Sequence, residues 1–302
     1  MIIPPYLKHN DTIGITCPAG YMPAEKAQTC IDTLKDWGYQ VVVGKTLGSD
    51  STNYFSATDE LRAAELQSML DDPSIKAILF GRGGYGMTRI IDQLNFKKFK
   101  KHPKWLIGFS DITVMHTHLL SEYKIASLHA PMAAAFNDGE AGNEYIQSLR
   151  KALKGDKGKF TCEPHPFNKQ GAATGRLVGG NLALLAHVIG TDSDCETKNR
   201  ILFIEDIGEY LYNIDRMLYQ LKRSGKLEQI TGLIFGGFTD MKDTERPFGK
   251  SVEDILQNIS RDLQVPVCFN FPVSHGRENV ALKIGVNYKL IVGATKVTLK
   301  EV

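Results

Sequence analysis

The chain has 302 residues, 42% of them hydrophobic and 23% charged, with a formal net charge of +2 at pH 7. This is the balance of an ordinary globular protein, long enough for two domains of roughly 150 residues or one large one, and the charge points to no particular partner. Five widely spaced cysteines, never in a C-x-x-C pair, argue against a disulfide framework and against a zinc site.

The amino terminus carries no apolar signal core, and nowhere do about 18 apolar residues run together, so a cytoplasmic protein without a membrane partner is expected. Thr12 to Cys17 reads as a buried first strand, with Pro18-Ala-Gly20 turning out of it. Pro23 opens a helix whose apolar face is Ala27, Ile31, Leu34 and Trp37, and Gly38 closes it. Tyr39 to Val43 is a second strand. A polar loop follows over 44–56, and Thr58 then caps a helix carrying Leu61, Ala64, Leu66 and Met69 on its apolar side. Ile75 to Phe80 and Trp105 to Phe109 are further strands, and Ser127 to Pro131 a fifth. The densest basic cluster, Lys97, Lys98, Lys100, Lys101 and Lys104, reads as a solvated loop rather than a nucleic-acid surface.

This alternation of strands and helices predicts an α/β fold with a doubly wound, mostly parallel sheet in the first half. Around 137–175 the composition shifts to Asn, Asp, Gly, Lys and Pro, interrupted by one helix near Asn143 to Lys154. The expected organisation is therefore an amino-terminal domain over 1–140, a linker region over 141–174, and a smaller mixed α/β domain over 175–302. In the second half Ile201 to Ile204 and Gly232 to Phe235 read as strands, Tyr210 to Arg223 and Val252 to Leu263 as helices, and three short strands follow near 267–270, 280–284 and 288–299.

Three stretches carry chemistry. Trp105-Leu-Ile-Gly-Phe-Ser-Asp-Ile-Thr113 runs from an apolar strand into an amphipathic segment, which puts Ser110 on a sharp strand-to-helix turn at the carboxyl edge of the sheet. Ser and Asp are also favoured helix caps, so residue type leaves a capping and a nucleophilic reading both open. Gly81-Arg-Gly-Gly-Tyr-Gly86 formally matches G-x-G-x-x-G, but it follows the third strand rather than the first. It also lacks the acidic residue about 20 positions on, which argues against a nicotinamide or flavin cofactor. Its glycines suit close backbone approach to a ligand and donation of an N–H to an oxyanion beside Ser110. Arg82 in the same loop is a candidate for binding a substrate carboxylate. Glu205 and Asp206 follow a buried strand, and either can orient a histidine. Among eight histidines, His275 has the loop context that suits a base, and His129 at the end of the fifth strand is a competitor. His187, among Leu and Ala on a helix, reads as a core residue, while His116 and His118 are two apart on one helix and so face different ways, wrong for a metal pair.

Taken with Ile13-Gly-Ile-Thr-Cys-Pro-Ala-Gly20, Gly179-Gly-Asn-Leu182, Ile214-Asp-Arg-Met-Leu218 and Ser274-His-Gly276, these stretches in their order resemble the LD-carboxypeptidase family of serine peptidases. That family includes muramoyl-tetrapeptide carboxypeptidases and microcin C immunity peptidases. The resemblance covers nearly the whole chain. It implies Ser110 as nucleophile, Glu205 as acid and His275 as base, with the backbone amides of Asp111 and Gly84 as oxyanion hole and Arg82 and Gly83 at the substrate. It further implies a homodimer that needs no metal or other cofactor and hydrolyses the amide joining diaminopimelate or lysine to terminal D-alanine in murein tetrapeptide during cell-wall recycling. Cleavage of an aminoacyl-nucleotide conjugate, as in microcin immunity, is the alternative. A non-catalytic nucleotide-binding module is the third reading. Two departures from the family pattern stand out: Ser274 where members often carry Gly, and Ala281-Leu-Lys-Ile-Gly285 where Leu-Pro-x-Gly is usual.

Overall fold

The structure is a computed structural model and describes residues 1–140 and 142–302. The first half builds a six-stranded sheet from β1 (Thr12–Thr16), β2 (Gln40–Val43), β3 (Ile75–Phe80), β4 (Trp105–Gly108) and β5 (Ser127–His129). Helices α1 (Gln28–Asp36), α2 (Asp59–Asp71), α3 (Met87–Ile90), α4 (Lys97–Lys101), α5 (Thr113–His118) and α6 (Glu140–Lys154) accompany these strands. The five strands pair in parallel in the order 2-1-3-4-5, a doubly wound arrangement. β4 is buried throughout and β3 at all but Lys76, the near-continuous apolar run of a sheet covered on both faces. The topological switch lies between β1 and β3, so the loops after those strands form the crevice at the carboxyl edge.

The second half comprises β6 (Lys159–Cys162), β7 (Gly171–Asn181), α7 (Leu182–His187), β8 (Arg200–Ile207), α8 (Leu211–Arg223), β9 (Gly232–Thr239), α9 (Val252–Ser260) and β10 (Val267–Cys268). After them come β11 (Leu282–Ile284), β12 (Asn287–Val292) and β13 (Val297–Glu301). All of these strands except β11 form a mixed seven-stranded sheet in the order 10-9-8-7-12-13-6. The sheet curls until its two edges approach: Lys169 bridges to Val267, and the sulfurs of Cys162 and Cys268 stand 3.9 Å apart, both cysteines free.

β11 leaves this sheet and pairs antiparallel with β5, Leu282 opposite His129, completing the first sheet. One apolar core accordingly runs from Ile13 and Trp105 through Leu177 and Phe203 to Leu299, while a second fills the opposite face of the first sheet around Phe80, Phe96 and Met115. Among the described residues no helix is long and apolar enough to cross a membrane.

Three local expectations are corrected. On α2, Leu61 is 62% exposed and Ala64 is also outside, whereas Arg62 and Ala63 are buried. The helix is rotated because the Arg62 guanidinium is satisfied inside, donating to the carbonyls of Pro18, Ala57 and Gly86 and pairing with Asp59. In the basic cluster, Lys97 to Lys101 form helix α4 and Lys104 is buried, its ammonium donating to the carbonyls of Met69 and Asp72. Burial pulls the Lys104 pKa down to about 8. His187 is exposed rather than in the core.

Candidate active site

β4 ends at Gly108, whose carbonyl accepts from the His116 ring (Nε2, 2.8 Å) and from the Ala130 amide (3.2 Å). Phe109 stays extended, and Ser110 then adopts φ +63°, a left-handed conformation that costs a side-chain-bearing residue roughly 1–3 kcal/mol. A 3₁₀ turn over Ser110–Ile112 follows and leads into α5. The strained turn is the geometry of a nucleophile elbow. It also decides against the capping reading, because the serine hydroxyl bonds no helix amide. The neighbouring carboxylate does that work elsewhere: Asp111 Oδ2 accepts from Met87 N at 2.8 Å and so ties the serine turn to the start of α3. Burial raises the Asp111 pKa to about 6 although the Met87 and Gly86 amides favour its charged form.

The glycine loop lies directly against this turn. A Cβ on Gly83 would fall 3.1 Å from Ser110 Cβ and 3.3 Å from both its Oγ and the Asp111 amide, so only glycine lets the two backbones approach this closely. The Gly83 carbonyl accepts from Gly20 N at 3.0 Å, joining the loops after β3 and β1. Gly84 turns with φ +95°. Arg82 is exposed, with Nη1 donating to the Tyr21 carbonyl at 2.8 Å.

The second half contributes the polar partners. Glu205 sits fully buried near the end of β8, where the register with β9 is interrupted between Ile204 and Asp206. Its Oε2 accepts from His275 Nδ1 at 2.6 Å. Asp206 is engaged instead with Asn181 Nδ2 (2.8 Å), Ile207 N (2.8 Å) and Ala183 N (3.0 Å), a structural role at the start of α7. Burial, reinforced by the Glu205 charge, raises Asp206 to about 7 against the pull of these donors. Of the two carboxylates that local context leaves open, Glu205, the one the family resemblance implies, is therefore the one that meets the histidine.

His275 packs edge-on against Phe109, the residue before Ser110, with ring centroids 4.9 Å apart. Burial disfavours its charged form, but the hydrogen bond and charge of Glu205, aided by the charge of Asp206, outweigh burial and hold its pKa above the ordinary value. With Nδ1–H held by the carboxylate, Nε2 is the acceptor; it is buried and makes no hydrogen bond within the protein. His129 is fully buried between Phe109 and Phe203 (5.8 and 5.0 Å between centroids), and burial keeps it far below the ordinary histidine pKa. It meets no carboxylate in an ion pair among the described residues and is a neutral core residue.

The two halves meet at Gly180, where a Cβ would lie 2.6 Å from Thr113 Oγ1 on α5, and the Asn181 amide donates to that same hydroxyl at 3.1 Å. A cavity of about 380 Å³ opens beside His275, walled by Arg82, Phe109, Asp138, Tyr145 and Arg277 among others. Among the described residues no group of three or more His, Cys, Asp or Glu side chains is placed to hold a metal ion. Sequence reasoning missed Arg62 and the side chain of Asp111. Both act on backbone groups distant in the chain, for which no local pattern exists.

A serine on a strained strand-to-helix turn of a doubly wound sheet, with a histidine–glutamate pair from the second half packed on the residue before it, defines a class of two-domain α/β proteins built like serine hydrolases. Within that class the chain belongs to the LD-carboxypeptidase family: the model of the family's N-terminal domain matches residues 13–130 and that of its C-terminal domain residues 174–290. A Bacillus subtilis protein named "probable murein peptide carboxypeptidase" is 34% identical over 289 residues, 93% of this chain and 89% of that protein. The crystal structure of muramoyltetrapeptide carboxypeptidase from Oxalobacter formigenes superposes with a TM-score of 0.86 at 31% identity, covering 96% of this chain and 98% of that one. The microcin C7 self immunity protein MccF in complex with aspartyl sulfamoyl adenosine has the same fold, with a TM-score of 0.87 at 21% identity and coverage of 100% and 99%.

Proposed function

We propose that the protein is a serine carboxypeptidase that hydrolyses the L,D amide joining diaminopimelate or lysine to the terminal D-alanine of murein tetrapeptide. The observation that carries the proposal is the 2.6 Å pairing of His275 with buried Glu205, packed on the residue that precedes Ser110. The names of the Bacillus and Oxalobacter relatives supply the substrate class.

In this reading Glu205 fixes the tautomer of His275, whose Nε2 takes the proton of Ser110 as Oγ attacks the carbonyl carbon of the L-centre. Charge gathers on the carbonyl oxygen, and the amides of Asp111 and Gly84 receive it; removing one such donor costs about 3 kcal/mol of barrier. Gly83 serves by letting the loop lie on the serine, and Arg82 by meeting a substrate carboxylate. His275 then gives its proton to the departing D-alanine amine, and water hydrolyses the acyl-enzyme by the same route. The protein works as a cytoplasmic homodimer in cell-wall recycling, a reading that rests on its family.

The test is release of D-alanine from purified tetrapeptide by the protein and by Ser110→Ala. Release by the first and not by the second is expected. Equal behaviour of the two would remove the assignment, and faster turnover of an aminoacyl-nucleotide conjugate would replace the substrate.

A further inference from the structure

The cavity beside His275 has a composition that the Ser110, Glu205 and His275 relay leaves unexplained. Its volume of about 380 Å³ is at the small end of the roughly 300–1,000 Å³ typical of ligand pockets. Small apolar groups, Pro131, Ala134 and Ala135, form part of its wall. Two guanidinium-bearing residues, Arg82 and Arg277, stand against a single acid, Asp138. Among the described residues neither arginine forms an ion pair, and the one protein acceptor met by Arg82 is the neutral Tyr21 carbonyl.

Asn279 also lines the cavity and is only 3% exposed; its side-chain amide faces the buried His129 ring, and no other protein group meets either its Oδ1 or its Nδ2. One imidazole cannot fill all the donor and acceptor positions of a side-chain amide, and buried positions left unfilled are costly, so the remaining capacity beside a cavity suits a ligand atom. Asn279 lies four positions after His275 on the same loop, which places the amide and the relay on one short segment.

We propose that this cavity is the subsite for the carboxyl-terminal residue of the peptide, and that Arg277 is its specificity-determining residue. The Arg277 guanidinium reads the free α-carboxylate in a charge-assisted hydrogen bond, Arg82 adds a second positive charge, and Asn279 Nδ2 supplies a buried donor. The small apolar wall accepts a methyl-sized side chain. Asp138 disfavours a second carboxylate on the same residue and so selects against acidic termini. The substrate class that follows is a peptide ending in a small residue with an ionised carboxyl group, as opposed to a carboxamide or a longer chain. This deepens the function proposed above and rests on it for the position of the scissile bond.

The experiment compares murein tetrapeptide carrying free terminal D-alanine with the same peptide ending in D-alaninamide, using wild type, Arg277→Gln and Arg277→Lys. Arg277→Gln is expected to lose roughly 10- to 100-fold in kcat/KM on the free acid, mainly through KM, and far less on the amide; lysine restores part of the loss. Equal losses on both peptides, or no loss on the acid, would overturn the assignment. Binding of N-acetyl-D-alanine to the Ser110→Ala protein, with and without Arg277→Gln, separates the two levels of inference. If wild type cleaves neither peptide but the analogue binds in an Arg277-dependent way, the subsite stands and the proposed reaction falls. Binding that ignores Arg277 removes the subsite whatever the activity.

Discussion

Ser110 is held at φ +63° by what surrounds it, with the Gly83 backbone on one side and the buried Asp111 carboxylate anchored to Met87 on the other. Glycine tolerates this conformation without the steric penalty, so Ser110→Gly is expected to remove acyl transfer while raising the midpoint of thermal unfolding, by up to about 1 kcal/mol in stability. A drop in that midpoint would show that the turn is not strained. The histidine gives a second expectation. Its pKa lies above the ordinary 6.5, and a base must be neutral to act, so the ascending limb of kcat/KM against pH should fall above pH 6.5. Glu205→Gln should move that limb to lower pH and cut kcat by orders of magnitude, since the carboxylate both raises the pKa and fixes the tautomer. By linkage the His275–Glu205 pair contributes stability that is complete below the unfolded-state pKa and is lost as pH rises through the higher folded value. At this scale the sequence was informative. Ser110 sits where a strand meets a helix, and His275 lies in a loop bounded by Pro and Gly, both of which are local signals. The choice of Glu205 over Asp206 came from the family resemblance and was not legible in local pattern, because it depends on which carboxylate a β8 irregularity turns toward a residue 70 positions away.

Among the elements, α2 shows where pattern reading fails. Apolar spacing put Leu61 and Ala64 inside, yet the helix buries Arg62 between them, because a guanidinium supplied with carbonyl acceptors and Asp59 can be enclosed. That side chain clamps the Pro18 carbonyl after β1 to the Gly86 carbonyl at the end of the glycine loop, and thereby sets the loop that touches Ser110. Arg62→Met should lower stability by about 2–5 kcal/mol, since it leaves two or more buried carbonyls unpaired, and should lower kcat through a displaced glycine loop. Denaturant titration and steady-state kinetics on one preparation check both. Unchanged kcat with lowered stability would confine Arg62 to folding. Strands β1, β3 and β4, by contrast, were legible to within a residue at their ends, because a parallel strand covered on both faces is largely apolar along its length.

At the level of the whole molecule, the alternation of strands and helices specified the doubly wound first sheet, but nothing in the second half announced that β11 would cross to join it. A three-residue strand has no period to read. Its pairing with β5 and the apolar core shared by the two halves couple their stabilities. Thermal unfolding should therefore appear as one transition by both near- and far-ultraviolet circular dichroism, and two resolved transitions would show the halves to be independent. The same coupling limits motion at the site, since a hinge between the halves would have to break the β5–β11 ladder. Entry to the cavity is then a matter for side chains at its mouth, such as Arg82 and Arg277.

The crossing strand also has a consequence for the order of events on the ribosome. His129, the last residue of β5, is made 153 residues before its partner Leu282, the first of β11. At roughly 5–20 residues per second, the edge of the nascent sheet waits on the order of 8–30 s for the strand that will cover it. During that interval β5 presents unpaired amides and carbonyls that any other extended segment can occupy. Ribosome-bound chains arrested after residue 140 should accordingly be held by chaperones or aggregate. Chains released at full length should not, and the difference should disappear when a peptide spanning residues 279–286 is supplied in trans.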